Sequence, residues 1–511
     1  MPDPSPRSRL AERATRWALP LATLAFFVAT APGYGIFRDE LYYLACGRHL
    51  AWGYVDQPPL VGLLAAVATA LFGDSLVGLR LFPALAAAGT VLLVGDTARA
   101  FGARGWGRVT AQLLAATAPI YLSLFTIFSM NAFDVLVWAG LARLGAALLA
   151  GARERLWLAF GALAGVGLEN KLDVGLLGAG LVVGLVVARR WDVLASRWLW
   201  LGGAVAAALF LPHIVWQALH GWPTPEFVAG AQEGKIVELA PWQFLAEQVW
   251  LVGPVAAGLA LAGLGWLLAA RAARVQRPLG WAVVVVLAVF ALSVSKPYYF
   301  SPAYALLFAA AGAALEAWTA GRGRRLLRPL ALVAVASILF SAPLAKPLLP
   351  VDGYLRYAAT LGVAPGSDES HELGRLPQFF ADMHGWREMA ENVAAAMATL
   401  PLAERERACV YGNNYGEAAA IDHFGPALGL PPAISGHNSY WLWGPGECTG
   451  EVLILLGGDR EDHLRSLRSV QRIGHHACTD CMPYEDDLTI WVGRGLKLPI
   501  GEAWERARHY N

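Results

Sequence analysis

The sequence has few charged residues for its length. Aspartate, glutamate, lysine and arginine make up 15% of its 511 residues, whereas soluble domains carry roughly 25%. Hydrophobic residues reach 56%, which excludes intrinsic disorder and disfavours an ordinary soluble enzyme. The 40 basic and 39 acidic side chains leave a net charge of about +1. A dedicated nucleic-acid-binding protein would be far more basic, so we expect no nucleic-acid partner.

Cysteine is also scarce, and four of the five cysteines lie in the C-terminal part of the chain: Cys409, Cys448, Cys478 and Cys481. Four cysteines allow three pairings, and the sequence does not choose among them. The pair at 478 and 481 stands beside His475 and His476, so a zinc site is an alternative to disulfides there. The fifth, Cys46, lies near the N-terminus.

Long apolar runs dominate up to about residue 345, and the remainder is ordinarily polar. Each run is close to the length that spans a bilayer. The pattern predicts a mostly α-helical, polytopic membrane bundle in residues 1–345, followed by an extracytoplasmic soluble α/β domain in 346–511. We expect about eleven spans, besides interfacial helices, at 17–33, 76–98, 109–127, 133–150, 156–169, 172–188, 198–216, 245–270, 278–295, 299–319 and 326–345.

Lysine and arginine accumulate in cytoplasmic loops. Between the predicted spans, 19 of them fall on one side of the membrane and 6 on the other. This split predicts a cytoplasmic N-terminus and an extracytoplasmic tail. Because a further crossing at 58–73 would invert every later loop, that apolar stretch is interpreted as a surface-lying or re-entrant hairpin. Residues 1–33 are interpreted as a retained anchor, with a cleaved signal peptide as the alternative.

Polar residues at the outer span ends are the candidates for chemistry, because an ionisable group at a helix centre costs about 2.5–3.5 kcal/mol to insert. The loop 34–58 places two adjacent carboxylates, Asp39 and Glu40, before an apolar and aromatic run with Tyr42 and Tyr43. This run predicts an amphipathic interfacial helix, whose N-terminus favours nearby negative charge. The pair therefore indicates either a catalytic group or an ordinary helix start.

Three further polar clusters stand at outer span ends: Asn131 with Asp134, Lys171 within the segment 169–173, and Lys296 with Tyr298 and Tyr299. Each has a structural alternative. Asp134 is suited to cap a helix, Lys171 to pair with Glu169 or Asp173, and Lys296 to snorkel to the interface. Together they place carboxylates and cations on one side of an apolar bundle, which suits a membrane substrate carrying a phosphate.

The tail is expected to fold from the following elements: a helix at 386–400, strands at 408–411 and 452–456, a helix at 460–470 and a strand at 488–492. The turn at 457–459 follows a strand but lacks the G-x-G-x-x-G pattern of a dinucleotide site. The segment 436–443 is dense in polar and aromatic side chains. It is interpreted either as a surface facing a sugar or acceptor, or as a packed loop.

Several segments, taken in order, resemble polytopic GT-C glycosyltransferases of the protein-mannosyltransferase and aminoarabinose-transferase superfamily (glycosyltransferase family 39-like). They are RDELYYLACGRHL, QPPL, SMNAFDVLVW, GLENKLDV, SKPYYFSPAYALLFAAAG, NYGEAAAIDHFG and SGHNSYWLWGP. The resemblance covers about 17–320 and two segments of the tail. It implies a GT-C fold, a polyprenyl-phosphate sugar donor, an extracytoplasmic active site and inversion at the anomeric carbon.

The polar clusters and the resemblance together give the candidate residues. The resemblance itself places Asp39, with Glu40 beside it, at the catalytic centre and Asp134 at the family's second acidic position. The catalytic candidates are Asp39, Glu40 and Asp134. The candidates for the donor phosphate are Lys171, Lys296, Arg48 and Tyr299. Weaker candidates for substrate binding are Tyr42, Tyr43, Gln57, Asn131, His437 and Tyr440. A divalent cation held by Asp39 and Glu40 is a further hypothesis, and no other cofactor is expected.

Two positions depart from the aminoarabinose-transferase pattern. Gln57 stands where that branch has a lysine, and Tyr42 where it has an arginine. Both serve the lipid phosphate there, so we expect the phosphate to be held differently here. That Arg38, Arg48 or His49 takes over this role is a hypothesis.

The sequence thus predicts an enzyme that moves a sugar from a polyprenyl-phosphate donor to a lipid, glycan or protein hydroxyl. The expected location is the cytoplasmic (inner) membrane of a bacterium, since alanine, glycine and arginine are abundant. The alternatives are a transporter or flippase of lipid-linked substrates and a non-catalytic assembly protein. The expected midplane polar groups and paired repeats of a transporter are not evident in the sequence.

Overall fold

The computed structural model describes residues 6–319 and 324–511. Arg322, which enters the loop count of basic residues, lies outside the described residues, as do residues 1–5. The described part is mostly helical and carries one small sheet in the tail, which confirms the predicted fold class.

The helices follow one another along the chain as α1 (Pro6–Ala29), α2 (Arg38–Arg48), α3 (Leu60–Phe72), α4 (Leu76–Ala100), α5 (Trp106–Thr117), α6 (Pro119–Leu124), α7 (Met130–Leu149), α8 (Leu156–Leu168), α9 (Val174–Val187), α10 (Trp191–Leu194), α11 (Arg197–Leu219), α12 (Pro223–Gly234), α13 (Pro241–Val252), α14 (Pro254–Ala269), α15 (Arg277–Ala291), α16 (Tyr304–Thr319), α17 (Arg324–Ala345), α18 (Val351–Leu361), α19 (Gln378–Ala381), α20 (Trp386–Ala398), α21 (Leu402–Arg405), α22 (Tyr415–Phe424), α23 (Ser439–Trp443), α24 (Arg460–Ser466) and α25 (Ile500–Ala507). Short 3-10 helices occur at Arg271–Gln276, Pro297–Ala303, Gly425–Leu428 and Pro483–Glu485. The strands are β1 (Ala408–Tyr411), β2 (Ala433–Ile434), β3 (Val452–Leu456), β4 (Leu467–His476) and β5 (Leu488–Leu496).

Packing divides the chain into two compact units. The first unit is formed by Met1–Gly33, Val77–Val215 and Val237–Pro350. The second is formed by Tyr34–Leu76, Trp216–Ile236 and Val351–Asn511. The two units are defined by contacts within the protein and do not show where the membrane lies. The membrane domain at 1–345 and the extracytoplasmic domain at 346–511 therefore stay a prediction.

Most of the strongly apolar helices belong to the first unit. Among the described residues, five helices are long and apolar enough to cross a membrane, or six if α13 and α14, bent by 113°, form one span. The five are Leu76–Ala100, Met130–Leu149, Arg197–Leu219, Arg271–Ala291 and Pro297–Thr319. Apolar helices of 10–17 residues coincide with several other expected spans. The count of about eleven therefore stays a prediction.

Glycines let two of these helices approach closely. A Cβ added at Gly180 of α9 would lie 2.9 Å from the carbonyl oxygen of Ala282 in α15. One turn further on, a Cβ at Gly184 would collide with the backbone of Pro278. Helices in lipid associate through small residues of this kind, because packing and not apolar burial drives their contact.

A five-stranded sheet organises the tail part of the second unit, with the strand order β2-β1-β3-β5-β4. The first three of these strands are parallel, and β5 is antiparallel to both β3 and β4. The predicted strands at 408–411 and 452–456 are confirmed as β1 and β3. The predicted helix at 460–470 is wrong beyond Ser466, because β4 begins at Leu467.

The loop after α1 belongs to the second unit, where it forms α2 and α3. Gly47 makes their contact close, since a Cβ there would lie 2.8 Å from the backbone nitrogen of Ala66. Helix α3 has only 13 residues, fewer than the roughly 20 that a transmembrane helix needs. Its side chains at Leu63, Val67 and Leu71 are exposed. These features suit the predicted surface-lying or re-entrant hairpin, whose place in the membrane stays a prediction.

Two disulfides join the four tail cysteines. Cys409 is bonded to Cys448, and Cys478 is bonded to Cys481. Cys46 is buried and is not part of a disulfide. The structure thus chooses one of the three pairings and favours a disulfide over the zinc site at the second pair.

The Cys409–Cys448 bond is expected to stabilise the protein more than the Cys478–Cys481 bond. It closes a loop with a sequence separation of 39, against 3 for the other pair. In the chain-entropy model a loop of this length corresponds to about 4 kcal/mol, and stabilisation grows with loop length. Thermal unfolding of the two double Cys→Ser variants measures the difference. A larger loss of stability in the 478/481 variant would contradict the expectation.

Candidate active site

Two polar clusters contain predicted site residues, one in each compact unit. The cluster in the second unit begins at α2. Phe37, just before this helix, has an extended backbone, and its N–H donates to Oε2 of Glu40 at 2.8 Å. Glu40 is fully buried and closes the first turn as a cap. Of the two adjacent carboxylates, Asp39 is the accessible one, with a side chain that is 34% exposed.

Asp39 is held from the tail. The hydroxyl of Tyr415, at the start of α22, donates to Asp39 Oδ1 at 2.9 Å. Arg38 Nε lies 3.7 Å from the same oxygen. Asp39, the carboxylate of the first loop that the sequence analysis predicts to be catalytic, is therefore held by a residue 376 positions away.

Arg38 is buried and surrounded by acidic and phenolic groups. Its guanidinium donates to the hydroxyl of Tyr484 at 2.6 Å and lies 3.6 Å from the carboxylate of Asp382. Burial raises the pKa of Asp382 to about 6, although the charge of Arg38 opposes this rise. The sequence suggested Arg38 as a substitute phosphate ligand, but in the structure it serves two carboxylates, those of Asp39 and Asp382.

A second carboxylate that the sequence analysis missed stands close in this cluster. The hydroxyl of Tyr42 donates to Asp56 Oδ1 at 2.9 Å. The rings of Tyr42 and Tyr415 lie 4.6 Å apart, so the two tyrosines that hold Asp39 and Asp56 pack against each other. The only sequence signal was the position of Asp56 directly before Gln57 and two prolines.

The other predicted residues of this unit are engaged elsewhere. Arg48 donates to the carbonyl oxygen of Asp422 at 2.7 Å, and the hydroxyl of Tyr440 donates to the carboxylate of the same residue at 2.7 Å. The backbone N–H of Tyr415 donates to Nδ1 of His437 at 3.3 Å. Burial lowers the pKa of His437, which favours the neutral ring. His437 therefore adjoins the Asp39 cluster through Tyr415, and the ring of Tyr440 stacks on that of Tyr42 at 6.4 Å.

Two more candidates are buried in the loop itself. Tyr43 is 4% exposed and Gln57 is 1% exposed. The side-chain amide of Gln57 lies 3.6 Å from Sγ of Cys46. His49, suggested as a phosphate ligand, stacks on Trp443 at 4.2 Å.

The cluster in the first unit centres on Lys171. Its Nζ lies 3.1 Å from Asp173 and 3.5 Å from Asp134, and 4.9 Å from the ring centre of Tyr299. Three predicted residues, Asp134, Lys171 and Tyr299, therefore come together. Lys296 lies instead against the ring of Tyr298, at 6.0 Å.

This second cluster is rich in buried oxygens. Both carboxylate oxygens of Asp134 and of Asp173 are buried without a hydrogen-bond partner among the described residues, apart from their ion pairs with Lys171. The side-chain oxygen of Asn131 is likewise unpartnered. One lysine thus balances two buried carboxylates. Buried polar groups normally have hydrogen-bond partners. This concentration of unpartnered buried oxygens therefore needs a functional or structural explanation.

No group of three or more histidine, cysteine, aspartate or glutamate residues in 6–319 and 324–511 is arranged to hold a metal ion. Of the two carboxylates in the metal hypothesis, Glu40 already accepts the Phe37 N–H. Asp39 and Glu40 therefore do not act as a pair of equivalent ligands, and the cation stays a hypothesis.

Asp56 is expected to make stability depend on pH. Burial raises the pKa of Asp56 to about 6 from 3.8, although the hydrogen bond from Tyr42 opposes this rise. The folded state therefore favours the protonated form of Asp56. The contribution of this residue to the stability of the fold falls as the pH rises from about 4 through 6. Asp56→Asn keeps an acceptor for Tyr42 and should gain up to about 3 kcal/mol over wild type above pH 7. Thermal unfolding between pH 5 and 8 tests this, and a pH-independent difference would contradict it.

Comparisons with known proteins show what this chain is similar to. Residues 56–216 match a family model described as dolichyl-phosphate-mannose-protein mannosyltransferase. The matched stretch contains Asp56, Asp134 and Lys171, and it begins after Asp39. No match is found among curated protein sequences. Family model and fold together confirm the resemblance to GT-C glycosyltransferases.

The fold is similar to that of ArnT from Cupriavidus metallidurans. Against its apo structure the TM-score is 0.60 at 16% identity, covering 95% of this chain and 98% of that one. Against ArnT bound to undecaprenyl phosphate the TM-score is 0.59 at 15% identity, covering 94% and 98%. Nearly the whole chain, tail included, thus has an ArnT-like GT-C fold.

Proposed function

We propose that this protein is a membrane glycosyltransferase that moves a sugar from a polyprenyl-phosphate donor to a hydroxyl of a lipid, glycan or protein acceptor. The reaction takes place on the extracytoplasmic side of a bacterial inner membrane and inverts the anomeric carbon. Undecaprenyl phosphate, which one ArnT structure contains, is the carrier we would test first.

One observation carries the proposal. In a chain with an ArnT-like fold, Asp39 is a partly exposed carboxylate in a buried frame, with Tyr415 and Arg38 both at its Oδ1. A charged group that is both accessible and held in place by its neighbours is suited to act on a substrate.

The mechanism is a single displacement. Asp39 orients the acceptor hydroxyl and accepts its proton as the acceptor oxygen attacks the anomeric carbon. The bond from that carbon to the phosphate oxygen breaks, and the polyprenyl phosphate leaves as an anion. Proton transfer to a positioned base contributes roughly 10²–10⁴-fold to such a reaction.

The leaving phosphate needs cations, and the proposed ones are Lys171, Lys296 and Arg48, with Tyr299 beside Lys171. Electrostatic stabilisation of developing charge is often the largest catalytic contribution. Lys171 is the strongest of these candidates because it lies in a buried, charged cluster with Asp134.

Sugar transfer by the purified protein in proteoliposomes tests the proposal. A panel of radiolabelled polyprenyl-phosphate sugars is offered with wild type and Asp39→Asn. We expect transfer or slow hydrolysis of one donor, strongly reduced in the variant. Binding of donors without turnover, together with their movement across the vesicle membrane, would favour a transporter instead.

A further inference from the structure

We propose that Tyr415 is the positioning residue of Asp39, so that the tail takes part in setting the geometry of the reaction. This inference rests on the proposed function and extends it. The hydroxyl of Tyr415 holds Oδ1 of the carboxylate and turns Oδ2 toward the acceptor. Among the described residues, both side-chain contacts of Asp39, from Tyr415 and Arg38, are made at Oδ1.

Tyr415 is well placed to act as a fixed donor. It is 7% exposed, and its ring lies 4.6 Å from that of Tyr42 and 4.9 Å from that of His437. The guanidinium of Arg38 lies 5.5 Å from the ring centre. Neighbours on several sides leave the ring little freedom, so the position of its hydroxyl is set by packing.

The backbone of Tyr415 is anchored as well. Asn414 caps α22, since its side-chain oxygen accepts from Gly416 N at 2.8 Å and Glu417 N at 3.0 Å. The Tyr415 N–H donates to His437 Nδ1. Both the ring and the backbone of Tyr415 are thus held by contacts other than the one to Asp39. A reacting group is positioned precisely when its supporting residues are fixed in this way.

Asp39 depends on such a partner more than its neighbour does. Glu40 is fully buried and bonded to the backbone of its own helix. Asp39 is partly exposed, and without a partner its side chain would exchange between staggered rotamers. A displacement of about 1 Å in a reacting group can cost about 10²-fold in rate.

Arg38 is less suited to this role. Its Nε lies 3.7 Å from Asp39, which is an ion pair beyond hydrogen-bond distance. Its guanidinium is also bound by Tyr484 and Asp382, so replacing it would leave a buried carboxylate without its cation. The Tyr415 hydroxyl can be removed without this cost.

The test is Tyr415→Phe, which deletes one oxygen and keeps the ring. We expect kcat to fall about 10- to 100-fold while the affinity for undecaprenyl phosphate, measured directly, stays within about twofold. Tyr54→Phe is the matched control, because Tyr54 is also a buried tyrosine and its hydroxyl donates to the carbonyl oxygen of Cys46 at 2.8 Å. Turnover is expressed per site that binds undecaprenyl phosphate, which corrects for unfolded protein. A kcat like that of wild type, or a loss of carrier binding, would overturn the inference.

A double-mutant cycle separates positioning from general structure. If Tyr415 acts through Asp39, Tyr415→Phe has no further effect in the Asp39→Asn background. An equal loss in both backgrounds would assign Tyr415 a structural role only. If Asp39→Asn itself keeps wild-type turnover, Asp39 is not the general base and the proposed mechanism fails. This outcome is seen in the single variant and does not depend on the result for Tyr415→Phe.

Discussion

Replacing Asp39 with asparagine is expected to lower turnover by about 10²–10⁴-fold, the contribution of a positioned general base. Asparagine has nearly the same size, and its side-chain oxygen still accepts from Tyr415, so the surrounding hydrogen bonds persist. The lost property is the negative charge that takes up the acceptor proton. Single-turnover transfer from the preferred donor measures this loss directly.

Two further variants make the Asp39 result specific. Asp74→Asn neutralises an exposed carboxylate outside the site and should leave turnover within about twofold of wild type. Glu40→Gln keeps an acceptor for the Phe37 N–H and should cost far less than Asp39→Asn. Turnover of Asp39→Asn close to that of wild type, or a larger loss from Glu40→Gln, would move the chemistry away from Asp39.

Lys171→Met is expected to lower the stability of the protein strongly. It leaves Asp134 and Asp173 buried without their cation, and breaking a buried ion pair by removing one partner costs about 3–5 kcal/mol. Thermal unfolding of the purified protein measures the cost. Stability equal to wild type would contradict the ion network seen in the first unit.

Whether Lys171 binds the donor phosphate can be tested when Asp134 and Asp173 are neutralised together with it. The triple variant Lys171→Met/Asp134→Asn/Asp173→Asn has no buried charge left at this cluster and should regain much of the lost stability. If Lys171 binds the donor phosphate, the triple variant still binds undecaprenyl phosphate more weakly than wild type. Recovery of both stability and carrier affinity would make the cluster purely structural.

Local patterns predicted much of the architecture. The apolar runs gave the membrane-type helices, and the short apolar segments of the tail gave β1 and β3. The start of α2 was visible from Asp39 and Glu40, because acidic residues favour a first turn. The failure at β4 has a physical cause: Leu467 and Val470 are both buried and stand three residues apart, a spacing typical of a helix face.

The partners in the site could not be predicted in the same way. Asp39 meets Tyr415 across 376 residues, and a single sequence carries no signal for such a pair. Lys171, by contrast, pairs with Asp173 two residues away, and a pair this close in sequence is among those that the segment 169–173 predicts. The sequence does not single out Asp56, because an acidic residue in a turn is common and its burial against Tyr42 is visible only in the structure.

The distance in sequence between Asp39 and Tyr415 has a consequence for how the protein is made. At about 5–20 residues per second, the ribosome adds Tyr415 roughly 20–75 s after Asp39. During that interval α2 and its buried face lack the tail residues that cover them. The geometry at Asp39 is therefore complete only once the tail has been made and folded, and a chain that ends before α22 should lack the hydrogen bond that holds this carboxylate.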